Sequence, residues 1–315
     1  MKSQESTINK ATLTGAVAIS LAAILWGLDG IVLTPRLYNL DVAYVVFMLH
    51  LIPFALMQVF FRKEYGRMRL FPARAWVAIS LVALTGGALG TLAIVKALFL
   101  VNFQKLTIVV LLQKLQPVFA IALATLILKE KLRSGFFVWA SLAIVSGYFL
   151  TFGLQRPEIG EGTPILAAAL FSLLAALSFG SSTVFSKMAL QDMKYETATF
   201  FRYGITALIL LPYVLISGRI AGLAGTTTLN WIIFLLIGLT TGSGAIFLFY
   251  YGLRKVKASV ATICELFFPL SAILFDYFIN GSRLSLLQWV SAAIMIFSIV
   301  MLNRVNAGER PATRQ

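Results

Sequence analysis

Long apolar runs joined by short polar connections constrain the fold of this chain more than any other feature of its sequence. A helix needs about 20 predominantly apolar residues to cross a hydrocarbon core of about 30 Å. The short connections leave no room for a soluble domain. The sequence therefore predicts an all-α membrane protein with ten transmembrane helices, at residues 13–34, 42–61, 74–95, 106–128, 134–152, 164–188, 197–217, 230–252, 258–279 and 284–302.

The composition agrees with this class, since 59% of the residues are hydrophobic and 12% are charged. The formal charge of +14 could suggest a nucleic-acid partner, but the basic residues are scattered at span ends rather than along one face. The positive-inside rule explains them better. Of the 26 Lys and Arg residues, 18 fall in segments on the same side of the membrane as the N-terminus, and 6 fall in segments on the opposite side. We therefore predict a multi-pass protein of the plasma (inner) membrane with both termini cytoplasmic and no nucleic-acid partner.

Several processing and cofactor signals are missing from the sequence. The first apolar segment is longer than a signal-peptide core and lacks a convincing cleavage site, so we interpret it as the first span. The lone Cys264 lies within a span and is interpreted as a packing residue. No GxxxxGK[ST] phosphate-binding loop occurs. We predict no cofactor, no bound metal and no enzymatic activity.

The two halves of the chain resemble each other. A shift of 152 residues superposes the span boundaries, places His50 on Arg202 and aligns identical residues, among them Pro117 on Pro269, Ala120 on Ala272 and Val138 on Val290. Each half has five predicted spans, and an odd number makes the second half enter the membrane from the opposite side. Inverted repeats are characteristic of secondary transporters. We predict repeats at residues 1–155 and 156–303, followed by a polar cytoplasmic tail at 304–315.

Several stretches carry a family resemblance that covers nearly the whole chain. They are "LAAILWGLDGIV", "FFRYGITALILLP", "LQPVFAIALATLILKEKLRSGFFVWASLAIVSGYFL" and "ELFFPLSAILFDYFINGSRLSLLQWVSAAIMIFSIV". The sequence resembles the ten-helix EamA branch of the drug/metabolite transporter superfamily. The most specific feature of that family is a proline followed about a dozen residues later by a Glu-Lys/Arg-Leu turn, and it is matched here by Pro117 and Glu130. In the second half, Ser282 stands where the counterpart of Glu130 would be. In the first half, His50 stands where the family often has arginine. The resemblance implies transport of small metabolites, often export of amino acids or related solutes.

The polar side chains at membrane depth are the candidate functional residues, because charges there are costly and usually face the bundle interior. They are Asp29, His50, Gln113, Lys114, Gln116, Arg202, Glu265 and Asp276. At about 1.5 Å of rise per residue, the estimated depths allow Lys114 to meet Asp29 and Arg202 to meet Glu265, and they favour Asp29 over Glu265 as the partner of Lys114 unless the substrate takes that place. Each pair could be a static salt bridge, and Arg202 could instead extend to the headgroups.

Prolines and glycines modify the same helices. Pro117 and Pro269 lack an amide hydrogen, so we predict widened polar segments in which the carbonyls of Gln113 and Glu265 are free. Gly90 and Gly242 lie in small-residue clusters of the third and eighth spans, where they indicate close packing or a gating hinge.

His50 and Trp26 complete the candidate residues. His50 could carry a proton or be a hydrogen-bonded packing residue. Trp26 belongs to a set of aromatic residues that could pack the bundle or form walls around a substrate. Asp29 and Glu265 are the expected proton carriers if protons are coupling ions.

The sequence as a whole predicts alternating-access transport of a small polar or zwitterionic metabolite, such as an amino acid. The predicted substrate contacts are Trp26, Asp29, His50, Gln113, Lys114, Gln116 and Glu265, and the predicted structural or gating residues are Gly90, Pro117, Arg202, Gly242 and Pro269. The alternatives are an organic-cation or drug transporter, a flippase for a lipid or lipid-linked sugar, and a non-transporting membrane scaffold or receptor.

Overall fold

The computed structural model describes residues 2–100, 109, 112–154, 163–281 and 283–307, and within these ranges the chain is helical without a strand. Nine of the described helical segments are long and apolar enough to cross a membrane. The shorter apolar helix Gln116–Ile127 lies in the predicted fourth span. The predicted boundary between the repeats, Ser282 and the end of the predicted tail lie outside the described residues.

The α-helices are numbered in chain order. The first half contains α1 (Lys2–Leu28), α2 (Val42–Phe61), α3 (Ala73–Val82), α4 (Gly90–Leu100), α5 (Gln116–Ile127) and α6 (Ser134–Phe152). The second half contains α7 (Thr163–Ala189), α8 (Tyr195–Ile216), α9 (Thr228–Ile237), α10 (Ser243–Leu253), α11 (Ala258–Cys264), α12 (Phe267–Asn280) and α13 (Leu286–Ala307). Of the three π-helical segments in the described ranges, Asp29–Leu33 follows α1. The other two are named the first π segment, Ala83–Leu89, which joins α3 to α4, and the second π segment, Gly238–Gly242, which joins α9 to α10.

The helices pack with an internal two-fold arrangement. Helix α1 packs against α10 and α12 of the other half, and its counterpart α7 packs against α4 and α5. Equivalent helices also meet in pairs, α2 with α8 and α6 with α13. The prediction of ten helices in two inverted five-helix repeats is confirmed.

Two glycines allow the exchanged helices to approach closely. A Cβ added at Gly27 would lie 3.0 Å from the Phe268 carbonyl oxygen, and one added at Gly180 would lie 3.0 Å from the Gln116 carbonyl oxygen. Gln116 and Phe268 are related by the 152-residue shift. Small residues at these points let each half hold its first helix against the broken helix of the other half.

The two π segments are also equivalent in the repeats. Thr91 Oγ1 donates to the Gly86 carbonyl at 3.3 Å, and Ser243 Oγ donates to the Gly238 carbonyl at 2.5 Å. Both hydroxyls therefore reach back five residues to a carbonyl of the wider helical turn. The same widened turn, with the same stabilising bond, occurs once in each half.

A helix break precedes each of the paired prolines. Helix α5 begins at Gln116 after a turn at residues 114–115, and a turn at 265–266 separates α11 from α12. The prediction of widened segments is wrong, because both breaks are tight turns, in which the Leu115 amide donates to the Leu112 carbonyl and the Leu266 amide to the Ile263 carbonyl, each at 3.1 Å. The prediction of a free Glu265 carbonyl is wrong, because the Phe268 amide donates to it at 2.9 Å. The chain compensates for the missing proline amide with a tighter turn.

Glu130 holds the two halves together at the beginning of α11. Its carboxylate accepts hydrogen bonds from the Ala258 amide at 2.7 Å, the Ser259 amide at 3.1 Å and the Ser259 hydroxyl at 2.6 Å. A carboxylate at a helix N-terminus binds amides that have no partner within the helix. This contact gives a physical reason for the glutamate that follows Pro117 in the sequence.

Candidate functional site

Side chains from two helices, α5 and α7, converge on Glu265, which lies in the turn between α11 and α12. Gln116 Nε2 donates to Glu265 Oε2 at 2.9 Å, and Thr183 Oγ1 donates to Glu265 Oε1 at 3.2 Å. Glu265 is partly buried, and both of its carboxylate oxygens have a donor. These three residues form the carboxylate cluster, in which the repeats contribute to one site.

A second polar group surrounds Arg202 on α8. Arg202 Nη1 donates to Tyr250 Oη at 3.1 Å, and the Tyr250 ring centroid lies 5.8 Å from the guanidinium carbon. Ser186 Oγ also donates to Tyr250 Oη, at 3.0 Å. Arg202 Nε is buried and has no hydrogen-bond partner among the described residues. Arg202, Tyr250 and Ser186 form the arginine cluster.

The predicted ion pair between Arg202 and Glu265 is wrong as a direct contact. Each bonds to neutral side chains, and neither belongs to an ion pair seen in the described part of the chain. Thr183 of the carboxylate cluster and Ser186 of the arginine cluster lie one turn apart on α7. The two clusters are therefore neighbours, and Arg202 bonds within the bundle instead of extending to the headgroups.

The predicted pair of Lys114 and Asp29 is wrong as well. Asp29 begins a π-helical turn, Asp29–Leu33, and its Oδ1 accepts a hydrogen bond from Thr34 at 3.0 Å. Lys114 lies in the turn before α5 and is partly buried. In the described ranges, no ion pair includes either residue. The depth estimate assumed straight helices, whereas both residues lie where the α-helix is interrupted.

The remaining candidates bond or pack within the bundle. Gln113 Nε2 donates to the Ser172 carbonyl at 3.0 Å, which joins the turn before α5 to α7. Trp26 packs on Phe249 with a centroid distance of 5.4 Å. Pro117 is the second residue of α5, and Pro269 lies in the first turn of α12. These contacts leave the predicted substrate roles of Gln113 and Trp26 as predictions.

His50 is held by its own helix. Its Nδ1 lies 2.8 Å from the Val46 carbonyl, and its ring lies 5.3 Å from that of Tyr203. Because a carbonyl can only accept, Nδ1 carries the hydrogen of this bond. This geometry agrees with the packing interpretation.

Gly90 and Gly242 end the two widened turns. An added Cβ would lie 2.8 Å from the Thr85 carbonyl oxygen at Gly90 and 2.8 Å from the Ile237 carbonyl oxygen at Gly242. Backbone occupies the space that a side chain would need. The contacts support close packing, and a hinge at these positions stays a prediction.

The sequence interpretation omitted the hydroxyl groups that complete both clusters. Thr183 and Ser186 come from the run "SSTVFS" of the sixth span, whose density of hydroxyls was the available signal. Thr241, in the second π segment, was also missed, and its hydroxyl is buried without a hydrogen-bond partner among the described residues. Among the described residues, no group of three or more His, Cys, Asp or Glu side chains could hold a metal ion.

Comparison with known proteins agrees with the internal symmetry. The profile of the EamA-like transporter family matches the chain twice, at residues 13–152 and 166–304. A solved crystal structure with 15% sequence identity superposes with a TM-score of 0.71 and covers 94% of this chain and 98% of its own. That similarity supports the fold alone.

Similar sequences are also transporters by name. A Fusobacterium nucleatum protein named riboflavin transporter ImpX is 50% identical over 295 residues, which cover 93% of this chain and 99% of that protein. An uncharacterized transporter of Archaeoglobus fulgidus is 24% identical and covers 91% of this chain and 95% of its own. An uncharacterized transporter of Bacillus subtilis, YwfM, is 26% identical over 62% of this chain and 64% of its own.

Proposed function

The chain belongs to the EamA-like transporter family and is a multi-pass membrane transporter, and we propose that its substrate is riboflavin. The observation that carries the proposal is the 50% identity with a named riboflavin transporter over 93% of this chain. The identity extends over both repeats and therefore over every helix that contributes to the central clusters. Riboflavin replaces the amino acid predicted from the sequence, for which no relative gives support.

The chemistry of the two clusters suits a flavin. Riboflavin is uncharged and combines a flat ring system, an imide edge of one N–H between carbonyls, and a chain of hydroxyls. Binding sites for such ligands combine apolar or aromatic walls with a few polar groups that fix orientation. The Glu265 carboxylate can accept the imide N–H, Arg202 Nε can donate to a carbonyl, and Trp26 offers an aromatic wall.

Lys114 takes a different role from the one predicted for an amino acid. A neutral flavin has no carboxylate to neutralise, so the ammonium serves as a donor to a ring carbonyl or a ribityl hydroxyl. Gln116 holds the Glu265 carboxylate in place through a hydrogen bond, and a hydrogen bond to the substrate replaces it when the substrate binds. The inverted repeats provide alternating access, because equivalent helices can adopt each other's arrangement.

A flux assay with purified protein in liposomes tests the proposal. We expect saturable movement of radiolabelled riboflavin that excess unlabelled riboflavin inhibits and that labelled amino acids and organic cations do not reproduce. Lys114→Ala is expected to reduce the flux, whereas Lys96→Ala, at an exposed lysine of α4, leaves it unchanged. Saturable amino-acid flux without riboflavin flux would overturn the proposal.

The same liposomes measure direction and coupling. Riboflavin placed inside or outside gives the preferred direction, which the family resemblance predicts to be export. A pH gradient imposed across the membrane shows whether protons accompany the substrate. Acceleration by the gradient in the wild type and its loss in Glu265→Gln would identify Glu265 as the coupling carboxylate.

A further inference from the structure

A cleft at one end of the bundle lies apart from both central clusters. This end carries the basic connections that contain Arg62, Lys129, Lys187 and Arg254, and we call it the basic end. The cleft has a volume of about 450 Å³ and opens between the ends of α2 and α10 and the beginning of α8. Its lining residues are Phe61, Tyr195, Glu196, Phe247, Leu248 and Tyr251.

Aromatic rings form most of the cleft wall. Phe61 and Phe247 stack at a centroid distance of 5.5 Å and an interplanar angle of 30°. Tyr195 stands nearly perpendicular to Tyr251, with centroids 5.6 Å apart. Partly buried rings at an open cleft can stack on a flat aromatic ligand, whose faces fit between them.

One polar atom in the wall lacks a partner. Glu196 lies in the first turn of α8, and its Oε2 is buried with no hydrogen-bond partner among the described residues. A buried acceptor without a donor costs free energy, so a ligand that supplies an N–H or O–H there is favoured. A carboxylate oxygen accepts hydrogen bonds, so the matching ligand group at this point is a donor.

The rim of the cleft is positively charged. A smaller hollow of about 290 Å³ shares Tyr195 and Tyr251 with the cleft and is completed by Arg254 and Lys255. Lys255 Nζ lies 3.7 Å from the centroid of the Tyr251 ring. Two cations beside one carboxylate disfavour a cationic ligand and favour a ligand with an anionic group at the rim.

We propose that this cleft is a second binding site, which takes a phosphorylated flavin. The ring system stacks on the aromatic wall, the imide N–H donates to Glu196 Oε2, and the phosphate binds between Arg254 and Lys255. The choice of flavin as the ring system depends on the proposed function, whereas the phosphate follows from the rim alone. Its occupant is expected to hinder flux from that side, because α8 and α10, which line the cleft, also carry Arg202 and Tyr250 of the arginine cluster.

Equilibrium binding of flavin mononucleotide to the detergent-purified full chain tests the site, with quenching of flavin fluorescence as the readout. Lys255→Gln is expected to weaken flavin mononucleotide binding about tenfold, the magnitude of one charge-assisted hydrogen bond, and to leave riboflavin binding unchanged. Tyr251→Leu and Glu196→Leu weaken the binding of flavin mononucleotide. Lys194→Gln, at the same end but outside the cleft lining, is the matched control.

Flux measurements separate this inference from the proposed function. Flavin mononucleotide on the basic-end side is expected to inhibit riboflavin flux in the wild type and less in Lys255→Gln. The second site alone is overturned if flavin mononucleotide does not inhibit riboflavin flux and if all the variants bind flavin mononucleotide with equal affinity. Binding of flavin mononucleotide that depends on Lys255, in a protein that moves no riboflavin, supports the site and rejects the proposed substrate.

Discussion

Glu265 is the residue at which the two repeats exchange hydrogen bonds, and each oxygen of its carboxylate has one donor. Replacing Gln116 with leucine removes the donor to Oε2 and keeps the side-chain size similar. Leaving a buried acceptor unsatisfied costs about 1–3 kcal/mol, so the site loses its preorganised carboxylate. We expect Gln116→Leu to reduce the riboflavin flux about tenfold in the liposome assay, at the magnitude of that loss.

Gln58→Leu is the control for this prediction. Gln58 also lies in a predicted span, but its side chain donates to the Phe54 carbonyl of its own helix at 3.2 Å. The substitution therefore makes the same chemical change without touching the carboxylate cluster, and near wild-type flux is expected. Equal flux in the Gln116 variant and the wild type would show that this bond does not serve transport.

The charged residues of the candidate site were predictable from the sequence, whereas their hydrogen-bond partners were not. Glu265, Arg202 and Lys114 were identified because a charge within a span is costly unless the interior accommodates it. Their pairing depended on depth, and the helix breaks beside Lys114 and Glu265 displace side chains from the positions on a straight helix. Neutral partners such as Thr183 carry no comparable cost and therefore give a weaker signal.

At the scale of helical elements, the π segments are the clearest structural device shared by the repeats. Gly90→Ala and Gly242→Ala each place a Cβ 2.8 Å from a backbone carbonyl oxygen. Because backbone cannot move aside like a flexible side chain, we expect each substitution to destabilise the protein by about 1–3 kcal/mol. A lowered thermal midpoint in detergent measures the effect.

Gly225→Ala provides a matched glycine substitution. An added Cβ at Gly225 has no atom within 4 Å, and the position lies in the 3₁₀ turn after α8. We expect an unchanged thermal midpoint for this variant. If Gly90→Ala and Gly242→Ala were as stable as Gly225→Ala, the widened turns would be flexible enough to absorb a side chain.

The contact of Glu130 with α11 gives a second prediction at this scale. Glu130→Ala removes a carboxylate that accepts hydrogen bonds from two amides and one hydroxyl at the beginning of α11, a helix of seven residues. Loss of a cap costs about 0.5–2 kcal/mol, and we expect a corresponding fall in the free energy of unfolding. Glu130→Gln keeps one acceptor oxygen and should lie between the alanine variant and the wild type. A free energy of unfolding for Glu130→Ala equal to that of the wild type would contradict the capping role.

Elements were predicted to different degrees for physical reasons. The apolar length gave the bounds of α2 and α6, and the proline chemistry gave the breaks before α5 and α12. The π segments were not predicted, because small residues favour any close approach and do not distinguish a wider turn from a regular one. Only the matched hydroxyls at Thr91 and Ser243 could have indicated them.

Across the whole molecule, charged contacts join the halves at both ends of the bundle. At the basic end, Arg74 binds Asp192 through two hydrogen bonds of 2.9 and 2.5 Å. At the opposite end, Arg219 pairs with Asp41, which also accepts hydrogen bonds from the first amides of α2. Alternating access requires that one end separates while the other stays closed. Under the proposed alternating access, these two ion pairs oppose each other in setting the balance between the open states.

Charge removal at either end is expected to shift this balance in opposite directions. Exposed ion pairs contribute about 0.2–1 kcal/mol, so Asp192→Asn should favour opening of the basic end by a factor of about 1.4 to 5, and Asp41→Asn should favour the opposite end. Asparagine remains a good helix cap, so the second substitution leaves the beginning of α2 intact.

This shift is measured in a Thr183→Cys variant that also carries Cys264→Ala. An impermeant maleimide is added from one side, and the rate at which it labels the new cysteine is recorded. The double variant, Asp41→Asn with Asp192→Asn, should return the rate toward that of the parent, because the two contributions oppose each other. Rates that change in the same direction in both single variants would indicate general loosening of the bundle. The opposite signs are what an inverted pair of repeats requires, because opening one end stabilises the closed arrangement of the other.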